Sequence, residues 1–344
     1  MTWIPLLLAD PSPSLRSLVL RELLDRPPDD PEVIELQTLQ AGEPLVRELA
    51  DLQTPQGYWE SARLPGNFPG GVAHGTAYAL MRLGYLGLDR DHPGVALAAD
   101  YLFSLQQADG SWPLVETYQA EEGEEEVAMM PLQTALPLAG LAACGYAADP
   151  RAEKGYEWLL AQRLDDGAWP TGLKAGDFRR VAGYRRLPHS RWGCRANTTA
   201  ALRCLAYHPQ RRRGQEARRA LDLLLGRETR EGHHLGFEVA RLVGLEPSTG
   251  YLTYFARFDP AMVLDLCWRI GATLEDERVA DLAAFLRGLQ GGYGLWYYSR
   301  FPQAARWVTF DLLRSLSHLD GSGDWVSLEP RTPFQTYPRK KRRY

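Results

Sequence analysis

Four stretches of this chain end alike. LQTPQGYW (52–59), LQQADGSW (105–112), AQRLDDGAW (161–169) and LQGGYGLW (289–296) all close on variants of Gln-x-x-Asp-Gly-x-Trp. Their tryptophans stand at 59, 112, 169 and 296, so the first two gaps are 53 and 57 residues and the last is 127, about two repeats. A degenerate copy is therefore expected between them, at 220–237, with Phe237 near the Trp position. A period of this length marks one supersecondary unit per copy, stacked to bury a face that no copy can bury alone.

Each ending follows a helical pattern. VALAADYLFSLQ (95–106) and AEKGYEWLLAQ (152–162) carry apolar residues at three- and four-residue spacing. The glycine stops the helix in a left-handed turn, the Trp folds back on the helix end, and the Gln hydrogen-bonds the turn backbone. Between these helices run segments richer in small residues, which suit close approach in an inner ring: 71–88, 129–146, 195–207, 260–271 and 305–319. The stretch 14–25 makes a sixth, paired with PLVRELADLQ (44–53). The expectation is an all-α fold, a single (α/α)6 toroid over 1–325, followed by an extended Pro-rich segment and basic tail at 326–344.

Hydrophobic residues make up 45% and charged residues 24%, enough for a large core. A net charge of −4 argues against a polyanion binder as a whole. Cys144, Cys194, Cys204 and Cys267 form no CxxC pair, the N-terminus lacks the basic start of a signal peptide, and no run of 18 apolar residues occurs. A cytoplasmic protein, peripheral to the membrane at most, is the simplest expectation.

The endings, alternating with small-residue helices over roughly 40–320, resemble the repeats of squalene/hopene cyclases and protein prenyltransferase β subunits, and at this length the chain looks similar to the short bacterial members with one toroid. That resemblance implies a central cavity suited to isoprenoids or similar lipids. Triterpene cyclases protonate an alkene with Asp-x-Asp-Asp-Thr-Ala opening an inner helix. The nearest counterpart is RANTTA (195–200), where Arg195, Asn197 and Thr198 replace the acids. The Asp29-Asp30 and Asp165-Asp166 doublets lie in turn-like contexts. Protein prenyltransferases hold zinc with Asp-x-Cys and a later His. Asp265 and Cys267 resemble the first part, but the His slot holds Val308, and two ligands do not make a zinc site, so no cofactor is expected.

The candidate catalytic residues are the inner-helix acids Asp265 and Asp311, and His74, which opens an inner helix. The connections entering the inner helices are long and charged. Arg185, Arg186, Arg191, Arg195, Asn197, Arg257, Arg306, Trp192 and Trp307 compose a candidate ligand-binding rim, since arginine forks and aromatics suit a diphosphate on an apolar tail. The expected partner is a hydrophobic or prenyl-diphosphate-like small molecule. The tail residues Arg339, Lys340, Lys341, Arg342 and Arg343 suit a weak, salt-sensitive contact with anionic membrane, and nothing points to sequence-specific nucleic-acid binding. Two functions stay open: a terpene cyclase- or prenyltransferase-like toroid with a non-standard site, or a non-catalytic binding or scaffold protein.

Overall fold

A computed structural model describes residues 3–64, 71–112, 130–172, 187, 189–226, 233–247, 255 and 257–319. These residues form fourteen α-helices and no strand. In chain order they are α1 (Trp3–Leu8), α2 (Pro13–Leu23), α3 (Pro31–Gln40), α4 (Pro44–Leu52), α5 (Gly71–Tyr85), α6 (Pro93–Ser104), α7 (Pro131–Ala143), α8 (Pro150–Ala161), α9 (Arg195–Tyr207), α10 (Gln215–Leu225), α11 (Phe237–Leu242), α12 (Pro260–Ile270), α13 (Glu277–Gly288) and α14 (Ala305–Leu319).

Helix starts are written locally. Proline at the first turn of α2, α3, α4, α6, α7, α8 and α12 removes an amide that has no helical partner there. Asp30, Asp149, Asp259 and Asp276 cap α3, α8, α12 and α13 by accepting from backbone amides. Asp30 and Asp166 thus serve turns and caps, as expected of the two acidic doublets; Asp166 accepts from the Ala168 amide.

The inner helices follow one another by contact in the order α5, α7, α9, α12, α14 and α2. The last step returns to α5 through Gln40, at the end of α3, whose Nε2 donates to the Leu86 carbonyl at 2.5 Å. The molecule is an all-α toroid. The outer layer pairs α6 with α5, α8 with α7, α10 with α9 and α13 with α12. Helix α2 packs most closely on α3, which the sequence pattern left unassigned, rather than on the 44–53 helix. Small residues let the inner helices touch: a Cβ on Gly140 would stand 2.6 Å from the Ala77 carbonyl oxygen, and one on Gly84 2.7 Å from Ala143.

The four endings are one device. In each, the Trp indole Nε1 donates to a leucine carbonyl ten residues earlier: Trp59 to Leu49, Trp112 to Leu102, Trp169 to Leu159 and Trp296 to Leu286, at 2.6–2.8 Å. The Trp backbone amide then donates to a threonine on the next inner helix: Thr76, Thr134, Thr198 and Thr309. The glycines all have φ between +77° and +99°. Gln53 and Gln106 donate both to the glycine carbonyl of their own turn and to the first turn of the following outer helix. Arg163 occupies the glutamine position in the third copy and donates to the Gly167 carbonyl.

The expected degenerate copy departs from this device. Helix α10 stands in the outer layer, but Phe237 does not fold back on it. Gly236 takes a left-handed turn (φ +83°) and Phe237 opens α11, whose six residues are all buried. On one side Tyr78 and Arg82 of α5 donate to the Arg241 and Leu242 carbonyls. On the other, Val308 of α14 packs on Gly236, and Asp259, the cap of α12, accepts from the Gly236 and Glu238 amides. Neighbours drawn from non-consecutive ring helices place α11 inside the ring.

Candidate functional site

The inner helices carry charge in the C-terminal part of an otherwise apolar pattern. Asp265 and Arg269 are four residues apart on α12, and Asp311 and Arg314 three apart on α14, so each pair shares a helix face. Both faces turn inward and meet. Arg314 bonds Asp311, reaches Asp265 at 3.3 Å, and extends to Glu22 of α2 at 3.3 Å. Arg269 holds the second oxygen of Asp265 at 2.8 Å, and the Trp268 indole donates to the first at 3.1 Å.

Of these groups Asp265, Asp311 and Arg314 line a small cavity, partly open to solvent, with room for about one water molecule. Arg203 and Tyr207 of α9, Tyr85 of α5 and Glu238 of α11 complete its polar wall, and Val239, Leu242 and Met262 its apolar wall. Tyr85 lies against the Trp307 ring, with centroids 5.7 Å apart.

The two acids are electrostatically unequal. Burial raises both, but around Asp265 the Arg269 and Arg314 guanidinium groups outweigh it and hold the carboxyl below its usual range. At Asp311 burial dominates. Arg314 opposes it, the neighbouring Asp265 charge adds to it, and the carboxyl is pushed up to about 6. Burial, reinforced by Asp311, also raises the Tyr85 phenol well above its ordinary range. An ionised acid beside one that titrates near neutrality is an arrangement that separates base from acid.

Of the expected catalytic residues, the structure therefore brings Asp265 and Asp311 together and leaves His74 elsewhere. His74 is buried at the first turns of α5, and its Nε2 lies 3.2 Å from the Gln133 carbonyl of α7. That carbonyl is the one whose helical donor, four residues on, is Pro137, which has no N–H. The imidazole replaces the missing bond.

The described residues of the expected rim have separate partners. Arg257 lies 3.8 Å from the buried Glu246, which also binds Arg300 and Tyr298. Arg306 pairs with Asp10 at 3.1 Å. Arg191 is exposed and sits over the ring of Trp192, 4.9 Å away. Arg195 is half-buried at the start of α9. Asn197 is fully buried, and its Oδ1 accepts from the Leu132 amide of α7. Thr198 anchors the Trp169 turn. The positions matching the acid motif thus join helices together. Arg185 and Arg186 lie outside the described residues, as do the tail and its basic run at 339–343.

Asp265 and Cys267 are two residues apart and so face different sides of α12. Burial raises the Cys267 thiol, and Val308 packs on Gly236. Among the described residues no group of three His, Cys, Asp or Glu side chains is placed to hold a metal ion, and no helix is long and apolar enough to cross a membrane.

The family model for the squalene-hopene cyclase C-terminal domain matches residues 37–182. The squalene–hopene cyclase of Bradyrhizobium diazoefficiens is 30% identical over 150 residues, 41% of this chain and 22% of that protein. The enzyme of Zymomonas mobilis is 31% identical over 122 residues, 35% of this chain and 18% of that protein. Residues 37–182 of this chain are thus similar to part of the squalene–hopene cyclases. The alignments span about a fifth of the relatives they match. Among solved structures, a variant of the type II terpene cyclase MstE from Scytonema in complex with geranylgeranyl dihydroxybenzoate is similar with a TM-score of 0.47 and 18% identity, over 79% of this chain and 70% of that one. A protein from Actinoplanes gives a TM-score of 0.31 at 16% identity, over 80% and 98%. The Asp265–Asp311–Arg314 cluster lies outside the matched residues 37–182. The signal for it was present, in acid–arginine pairs at helical spacing inside apolar segments. Tyr85 and Glu238 had no such signal, because tertiary packing alone brings α5 and α11 to it.

Proposed function

We propose that this chain binds an isoprenoid or similar lipid-like molecule within its ring, with the polar end of that molecule at the Asp265–Asp311–Arg314 cluster, and that it does not begin by protonating an alkene. One observation carries the reading: two acids of unequal acidity share the lining of a small cavity with Val239, Leu242 and Met262. The similarity of residues 37–182 to squalene–hopene cyclases supports the ligand class.

An alkene is a very weak base and needs a strong acid to protonate it. Asp311, raised to about 6, is too weak an acid for that step, and Asp265 is held ionised by two arginines. The pair suits proton acceptance and hydrogen bonding to a polar group. Native mass spectrometry of freshly purified full-length protein is expected to show a co-purifying lipid that is lost in the Arg314→Met variant. Bare wild-type protein that also takes up no added polyprenyl compound would sink the reading.

A second reading is favoured by α11, which occupies the ring interior where a substrate chain would lie: a non-catalytic toroid that engages a partner. Bound lipid in the native spectrum without turnover of squalene or prenyl diphosphates selects binding over catalysis.

A further inference from the structure

We infer that α11 is a removable plug: the ring interior becomes a ligand site only when this helix leaves it, so that α11 and the ligand compete for one volume. The inference rests on the lumen-binding reading above and concerns how that same site is opened.

The cavity at Asp265, Asp311 and Arg314 holds about one water molecule. An isoprenoid cannot enter it beside α11. Glu238, Val239 and Leu242 of α11 form one part of its lining, and side chains of α5, α9, α12 and α14 form the rest. Departure of α11 would therefore join the small void to the volume of the helix itself. Six helical residues make a cylinder about 9 Å long and about 10 Å across, roughly 700 Å³. Small-molecule sites run from about 300 to about 1,000 Å³.

The way α11 is held suits release. Gly236 and Gly244 bracket it in left-handed conformations, at φ +83° and +76°, which glycine adopts without steric cost. Its two charged residues, Glu238 and Arg241, pair with each other, so the helix carries its own counter-charge. Asp259 accepts from the Gly236 and Glu238 amides, and Tyr78 and Arg82 donate to the Arg241 and Leu242 carbonyls. Water can replace each of these bonds on the released backbone. The apolar contacts that Phe237, Val239 and Leu242 give up are replaced by those of the ligand chain. The seat is also incompletely satisfied. Arg82 is fully buried, reaches Glu48 only at 3.5 Å, and its Nη1 has no hydrogen-bond partner, although buried polar atoms are ordinarily paired. A segment held in this way opens as a unit of its own, and a ligand that fills the opened volume makes the minor state dominant.

The test is hydrogen exchange of the full-length protein, read by mass spectrometry over 237–246 and over the inner helices, with and without geranylgeraniol, in wild type and in Tyr78→Phe. In the free protein Tyr78→Phe is expected to speed exchange in α11 about tenfold, the equivalent of about 1.4 kcal/mol, and to leave α7, α9 and α12 unchanged. Geranylgeraniol should speed exchange in α11 while protecting the inner helices, the reverse of ordinary protection by a ligand. Calorimetry should show about tenfold tighter binding to Tyr78→Phe, because a larger share of its molecules is open. Where Tyr78→Phe disturbs α5, Gly244→Ala replaces it, since its Cβ would stand 2.4 Å from the Arg82 Nη2 and strain the closed position. Binding that leaves α11 exchange unchanged or slower overturns the plug and leaves lipid binding standing. Exchange of α11 only together with the whole ring overturns the plug as well. Opening of α11 alone, with no lipid taken up by wild type or either variant, refutes the lumen-binding reading and leaves the plug standing.

Discussion

At the scale of single residues, the chemistry depends on which polar groups already have partners. His74 looked catalytic by position, but its imidazole is matched to the carbonyl freed by Pro137. His74→Ala is expected to cost about 1–3 kcal/mol, as an unpaired buried carbonyl does. In the Pro137→Ala background the helix supplies its own donor, so the same change should cost measurably less. Urea denaturation of the four proteins in this cycle measures the coupling, and equal costs in both backgrounds would refute the pairing. Asp311 sets a pH dependence. Its folded pKa is raised, so the stability it contributes is complete below its unfolded value of about 3.9 and is lost as pH rises towards about 6. Asp265 has the opposite sign, since its lowered pKa contributes stability above the unfolded value. Asp311→Asn should therefore gain in melting temperature relative to wild type as pH rises through that window, with no further change above it. A difference that is constant with pH would refute the assignment.

At the scale of elements, the repeat is a joint between an outer and an inner helix. The Gln, Gly and Trp of the joint are legible in the chain because all three lie within seven residues of one another. Its fourth member, the threonine that accepts the Trp amide, lies 13 to 29 residues further on and becomes visible only once the helices are paired. Thr309→Val keeps the shape but removes the acceptor, leaving the buried Trp296 amide unpaired. We expect a loss of about 1–3 kcal/mol and faster amide exchange at Trp296, whereas Thr309→Ser should restore most of both. The acid pairs of α12 and α14 show the same division. Their spacing on each helix is a sequence property. That Arg314 spans both is a property of the ring, which sets the two helices side by side.

At the scale of the molecule, α11 decides what the ring interior is. Gly236 turns the chain inward at a φ of +83°, and a Cβ there would stand 2.7 Å from Val308. Gly236→Ala is expected to destabilise the protein by about 1–3 kcal/mol and to raise hydrogen exchange in α11 ahead of the inner helices. Uniform exchange across the ring would show that α11 is not a separable unit. The sequence by itself determined the all-α toroid, the helix starts and the turn device, because each rests on residues a few positions apart: prolines, capping aspartates, left-handed glycines and their tryptophans. It also singled out Asp265 and Asp311 one at a time. The tertiary structure alone decided that these two acids meet, that their acidities diverge, that His74 serves Pro137, and that the degenerate fourth repeat enters the ring. Those outcomes depend on burial and on contacts between helices far apart in the chain, and neither quantity is encoded in local spacing.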